Sequence, residues 1–172
     1  MTFLIVLTAA AIYWGLSIVR RSVVFALAIN WAFMGFAYVV WLVIPLRFGH
    51  GYYRVLRFEQ SGRLYEALGV RWFQAVLRRP GAYGSRVFPS YSRGHHGAEA
   101  LVAATLGPET AHALIFVVIT VLALDTGVRR GWWDTAAWLI VFNVLFNAYP
   151  VLSLRQVRAR VERVFGVHAY SD

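Results

Sequence analysis

The sequence predicts an all-α integral membrane protein: four transmembrane helices, with a cytoplasmic insertion of amphipathic helices and loop between helices 2 and 3. Three observations carry that expectation. Of 172 residues, 59% are hydrophobic and only 15% are charged, with a mean hydropathy of +0.57. A soluble domain of this size needs a more polar surface. Apolar runs long enough to cross about 30 Å of hydrocarbon recur along the chain, and the arginines flank those runs. The length leaves room for one membrane domain, residues 1–172.

The first run, Thr2 to Val19, has no basic segment before it, and its arginines, Arg20 and Arg21, follow it. It reads as a retained span (about 2–19) and not as a signal peptide. Only that arginine pair separates it from the second run, Ser22 to Leu46, so the two form a tight helical hairpin. The third run, Ala100 to Leu124, is interrupted by Gly107-Pro108; the fourth, Trp133 to Leu154, carries Pro150 near its end. Residues 47–99 form the interfacial region and 155–172 a basic tail.

Arginine placement sets the expected orientation. The region 47–99 holds nine arginines and the tail four, against Arg20, Arg21, Arg129 and Arg130 on the other side. Thirteen against four puts both termini in the cytoplasm of a bacterial inner membrane, cytoplasmic or intracytoplasmic. Trp132, Trp133 and Trp138 then fall near the opposite interface. The net charge of +9 fits anionic headgroups better than nucleic acid, because the basic residues border apolar runs. Membrane lipids are therefore the expected partners.

Between Tyr52 and Arg79, Tyr53, Leu56, Tyr65, Leu68, Trp72, Phe73, Val76 and Leu77 recur at roughly helical spacing with arginines between them. That pattern predicts amphipathic helices at the membrane surface. Pro80 to Gly97, rich in glycine, serine and tyrosine, predicts a loop that could cover a site. Cysteine is absent, which removes thiol nucleophiles, thiolate metal sites and disulfides from consideration. His95-His96 lacks the spacing of a metalloprotease motif, and although Glu99 follows His95 by four, a solvated loop is the favoured reading; no metal is expected.

Chemistry is expected at Glu109 and His112, three residues apart and so on one helix face. Pro108 suits a first helical turn, so the span is expected to restart there and set Glu109 at a positive helix end. One reading has Glu109 hold one imidazole nitrogen while the other takes a proton from a hydroxyl. The other has a satisfied polar pair that fixes helix packing, or a histidine that ligates a cofactor. Asn143 and Asn147 lie one turn apart in the fourth run; Asn143 reads as interhelical glue. Arg155, Arg158 and Arg160 follow Pro150 and could clamp a phosphate or carboxylate, or simply anchor the cytoplasmic end.

The order Phe58-Glu59, Gly62-Arg63-x-Tyr65-Glu66, Gly69-Val70-Arg71-Trp72, then Glu109-x-x-His112, then Asn147-x-x-Pro150 and Arg155-x-x-Arg158-x-Arg160 resembles the glycosyl-4,4′-diaponeurosporenoate acyltransferase family. The resemblance covers about residues 55 to 163. It departs from the family pattern at Leu154 and Val157, where amides are expected, and after Trp72, where Phe73-Gln74 and a distant Pro80 replace a basic run. It implies a small membrane enzyme that transfers a fatty acyl group to the sugar of a glycosylated carotenoid or a related lipid hydroxyl. On that reading His112, oriented by Glu109, is the general base. Arg155 and Arg158 bind the donor's anionic group, Asn147 supports the oxyanion or acceptor, and Arg63 and Tyr65 join the substrate-binding set.

A second reading stays open, a non-catalytic subunit of a larger membrane assembly such as a photosynthetic pigment–protein complex. Seven tryptophans, nine tyrosines and twelve phenylalanines would suit contacts with other subunits, bound lipid, carotenoid or another pigment. A transporter is disfavoured, since no internal repeat pairs two broken helices.

Overall fold

The computed structural model describes residues 23–44, 46–77 and 95–168, which are helices and connecting turns, with no strand among them. In chain order the helices are α1 (Val23–Val43), α2 (His50–Tyr53), α3 (Arg57–Gln60), α4 (Arg63–Ala67), α5 (Val70–Leu77), α6 (His95–Val128), α7 (Trp133–Asn143) and α8 (Tyr149–Phe165). A π-helical turn, Val144–Ala148, joins α7 to α8. Three stretches are long and apolar enough to cross a membrane: Val23–Val43, His96–Val128 and Trp133–Phe165. The expected span at 2–19 and most of the expected loop, residues 80–94, lie outside the described residues.

The chain forms two compact units, Met1–Leu46 with Ala111–Ala148 and Arg47–Thr110 with Tyr149–Asp172. In the first, α1 packs on α7 and on the later turns of α6. Phe25, Ala26, Ile29, Ile115, Ile119, Ala123, Ala136 and Leu139 make its buried core. The alanines allow close helix approach, the usual device where lipid removes any hydrophobic drive between helices. Close approach recurs at Gly127, where an added Cβ would stand 2.7 Å from the Trp133 ring. The outer residues of α1, among them Val24, Trp31, Tyr38 and Leu42, are exposed and apolar, which suits lipid and not water.

In the second unit, α3, α4 and α5 pack against α8. Phe73 meets Tyr149 with ring centroids 5.1 Å apart, and the Tyr149 hydroxyl donates to the Leu68 carbonyl at 2.9 Å. Ala98, Val102, Val161 and Val167 form a second buried cluster. Gly62 and Gly69 carry φ of +74° and +69°, the left-handed conformation that reverses the chain before α4 and before α5. A side chain at either position would be strained. On the outside, Leu56, Leu68 and Trp72 of the expected apolar face are exposed, together with Phe58 and Leu64, whereas Tyr53 and Tyr65 of that face are fully buried.

Two expectations need correction. The helix does not restart at Pro108: α6 is continuous for 34 residues with Pro108 inside it, so Glu109 is mid-helix. The proline has no N–H for the Ala104 carbonyl four residues earlier; two residues on, the Leu106 carbonyl accepts from the Tyr53 hydroxyl at 3.4 Å and the Thr110 hydroxyl at 2.9 Å. His95 to Gly97 open that helix instead of closing a loop. The basic tail is helical as far as Phe165, where Gly166 (φ +65°) ends it with its N–H on the Glu162 carbonyl at 2.9 Å.

Candidate active site

Each unit buries its own polar cluster. In the second unit the fully buried side chains include Glu109 and Arg158, with Glu59 at 5% exposure. Arg155 grips Glu59 with two parallel bonds, Nε to Oε1 and Nη2 to Oε2, both 2.8 Å. Its Nη1 reaches Glu109 Oε1 at 3.2 Å and the Tyr52 carbonyl at 3.0 Å, and Nη2 also donates to the Arg54 carbonyl at 3.2 Å. All five guanidinium donors of Arg155 are thus engaged. Arg158 Nη1 donates to Glu109 Oε2 at 2.5 Å and Thr105 Oγ1 at 3.3 Å, while its Nε and Nη2 are buried with no hydrogen-bond partner. Two carboxylates face two guanidiniums, so the cluster is neutral, the condition under which such charges tolerate burial.

Glu59 is the carboxylate that Arg155 grips. It also accepts from the Tyr65 hydroxyl at 2.7 Å and from the Leu56 N–H at 2.8 Å, which caps the start of α3. Burial pushes the Glu59 carboxyl up, but Arg155, Tyr65 and the Leu56 N–H together outweigh it and hold its pKa at about 2. Tyr65 moves the other way: burial, then its bond to Glu59, raises the phenol above its ordinary value. Burial, then the charge of Glu109, pushes Tyr52 up to about 12. Both phenols therefore stay neutral near pH 7. The rings of Tyr52 and Tyr53 lie under Arg155 and Arg158, 5.7 and 5.5 Å from the guanidinium carbons.

The first unit holds His112. Its Nδ1 is 3.1 Å from Asn147 Oδ1, and the Phe146 backbone is a further acceptor for the ring. Asn147 lies in the π-helical turn, a feature that often marks functional positions because it re-aims side chains. Pro150 explains the turn's position, since it has no N–H to give the Phe146 carbonyl four residues earlier. Asn147 Nδ2 donates to Asn143 Oδ1 at 2.9 Å and to Asn30 Oδ1 at 3.5 Å. Asn30, Asn143 and Asn147 are all fully buried.

The structure thus brings Glu109, Arg155, Arg158 and Tyr65 together in one unit, and His112 with Asn147 in the other. Arg63 is exposed at the start of α4, outside the cluster. The expected Glu109–His112 pairing is replaced: arginines engage both oxygens of Glu109, and an amide holds His112 Nδ1. Glu59 and Asn30 had no role assigned from sequence. Their signals were an acid among the arginines of an amphipathic stretch and a lone amide in an apolar run. His96 pairs with Glu99 at 3.4 Å on the surface.

Apolar helices that bury ionised and amide side chains define a membrane protein with a polar interior, and such groups are costly to keep there without a task. The model of the glycosyl-4,4′-diaponeurosporenoate acyltransferase family matches residues 49–167, and the chain belongs to that family. No curated protein and no solved structure matches it. The matched stretch contains the whole Glu59–Arg155–Glu109–Arg158 cluster together with His112 and Asn147.

Proposed function

We propose that this chain is a membrane acyltransferase that moves a fatty acyl group onto a hydroxyl of a glycosylated carotenoid or a related lipid. The family match over 49–167 carries the reaction class. His112 is the general base. Its ring is half-buried and held at Nδ1 by Asn147, so the remaining nitrogen is the one to take the acceptor's hydroxyl proton. The hydroxyl oxygen attacks the acyl carbonyl of an activated ester or thioester. As the tetrahedral intermediate collapses, the bond to the leaving group breaks and the imidazolium returns the proton to that group.

Asn147 orients the base on this reading; its NH₂ is already committed to two amides and has nothing to offer an oxyanion. Arg155 likewise has no free donor and serves as the scaffold of its cluster. Arg158 keeps three N–H groups, on Nε and Nη2, without partners and is the arginine that receives an anionic or carbonyl oxygen of the substrate. Both termini and residues 47–77 face the cytoplasm of a bacterial membrane, on the arginine distribution.

The test is acyl transfer to a glycosylated carotenoid by purified protein in lipid, wild type against His112→Gln. A loss on the order of a hundredfold or more is expected for removal of a general base. Wild-type turnover that persists in His112→Gln would overturn the assignment of the base, and failure of the wild type on any glycosylated lipid would overturn the reaction.

A further inference from the structure

Beyond that reading, and resting on it for its functional meaning, we propose that Asn30 and Asn143 are positioning residues that lock His112 as the Nδ1–H tautomer, leaving Nε2 as the reacting nitrogen. The argument uses the polarity of hydrogen bonds, which backbone carbonyls fix because they can only accept. Asn143 approaches the Phe116 carbonyl at 2.9 Å, so the atom there is Nδ2. The same Nδ2 reaches Thr120 Oγ1 at 3.1 Å, and Thr120 gives its own proton to the Phe116 carbonyl at 2.7 Å. Asn30 approaches the Ala26 carbonyl at 2.9 Å, so that atom is also Nδ2.

Both amides must then turn their Oδ1 atoms toward Asn147, at 2.9 Å from Asn143 and 3.5 Å from Asn30. Asn147 can satisfy two acceptors only with its NH₂. Its Oδ1 is left facing His112 Nδ1 at 3.1 Å. An oxygen acceptor there requires a proton on Nδ1. With that proton on Nδ1, a neutral imidazole has none on Nε2, which carries a lone pair. Flipping Asn147 would set NH₂ against a ring N–H and oxygen against two oxygens, breaking three contacts in a dry interior where each unmade bond costs about 1–3 kcal/mol. Three asparagines from α1, α7 and the π-helical turn therefore do for this histidine what a carboxylate does elsewhere, without adding a buried charge.

The experiment is nitrogen-15 NMR of imidazole-labelled protein in lipid nanodiscs, with the His112 signal identified by its loss in His112→Gln. The expected spectrum shows a neutral ring protonated at Nδ1 in the wild type. In Asn30→Leu/Asn143→Leu, Asn147 is free to flip and the signal moves toward the Nε2–H form, while kcat falls on the order of tenfold or more and KM changes little. An Nε2–H or doubly protonated ring in the folded wild type overturns the proposal, whatever the activity. If the double variant does not fold, single Asn30→Leu is read in the same way, and an unchanged tautomer in a folded variant also overturns it. A wild-type Nδ1–H ring in a protein whose His112→Gln form still turns over leaves the lock intact and removes the catalytic reading instead.

Discussion

At the scale of single residues, Glu59 links sequence to stability most directly. Its carboxyl is held at about 2, below the ordinary 4.5, so the folded chain favours the ionised form. That contribution is fully present above about pH 4.5 and is lost as pH falls toward 2, roughly 3 kcal/mol in all. Acid unfolding followed by tryptophan fluorescence should therefore lose a component between those values in Glu59→Gln. A variant with an unchanged acid limb would show that the ion pair does not stabilise the unit. Arg155→Met should be harsher, on the order of 3–5 kcal/mol, because it strands the buried Glu59 carboxylate and takes one of two arginine partners from Glu109. Thermal or denaturant unfolding in detergent would read that loss. Restoring stability in Arg155→Met by adding Glu59→Gln would identify stranded charge as the cause.

At the scale of elements, the π-helical turn connects Pro150 to His112. Its extra residue per turn sets the direction of Asn147, and a regular α-helix advances about 100° per residue. Pro150→Ala supplies the missing N–H and lets the segment wind regularly. The expected result is unchanged helix content by circular dichroism with acyl transfer lowered on the order of tenfold, since only the amide's direction is disturbed. Full activity in that variant would mean the turn has no part in orienting His112. A different element-level test falls on Gly62 and Gly69, where replacement by alanine should cost about 1 kcal/mol each through left-handed backbone strain. The apolar runs made α1, α6 and α7 legible in the sequence, because lipid imposes long uninterrupted helices. The continuity of α6 through Pro108 was not legible, because on local grounds alone a proline reads as a break.

At the scale of the whole molecule, membrane insertion and sidedness are testable with one device, because the chain has no cysteine to give a background. Single cysteines at Ser61 and at Asp134 should be labelled by an impermeant maleimide from opposite sides of the membrane, Ser61 from the cytoplasmic side. Labelling of both from one side would overturn the arginine-based orientation. Gentle extraction followed by size-exclusion chromatography should yield the protein alone or as a small homo-oligomer with bound lipid. Fixed-stoichiometry migration with a larger pigment complex would instead support a subunit role.

The sequence by itself determined the membrane class, three of the apolar helices and the family, because these follow from hydropathy and motif order along one dimension. It also singled out Glu109, Asn143, Asn147 and Arg158 among the buried polar residues, but gave no role to Glu59 or Asn30. Which of them pair was decided only in three dimensions. Glu109 and His112 share a helix face, yet each carboxylate oxygen goes to an arginine of α8 and the imidazole goes to an amide. Spacing on one helix defines neighbours, but a buried charge takes the partner that neutralises it, and those arginines lie more than forty residues away in the chain. The same holds for Asn30, whose role depends on an amide from the far end of the sequence.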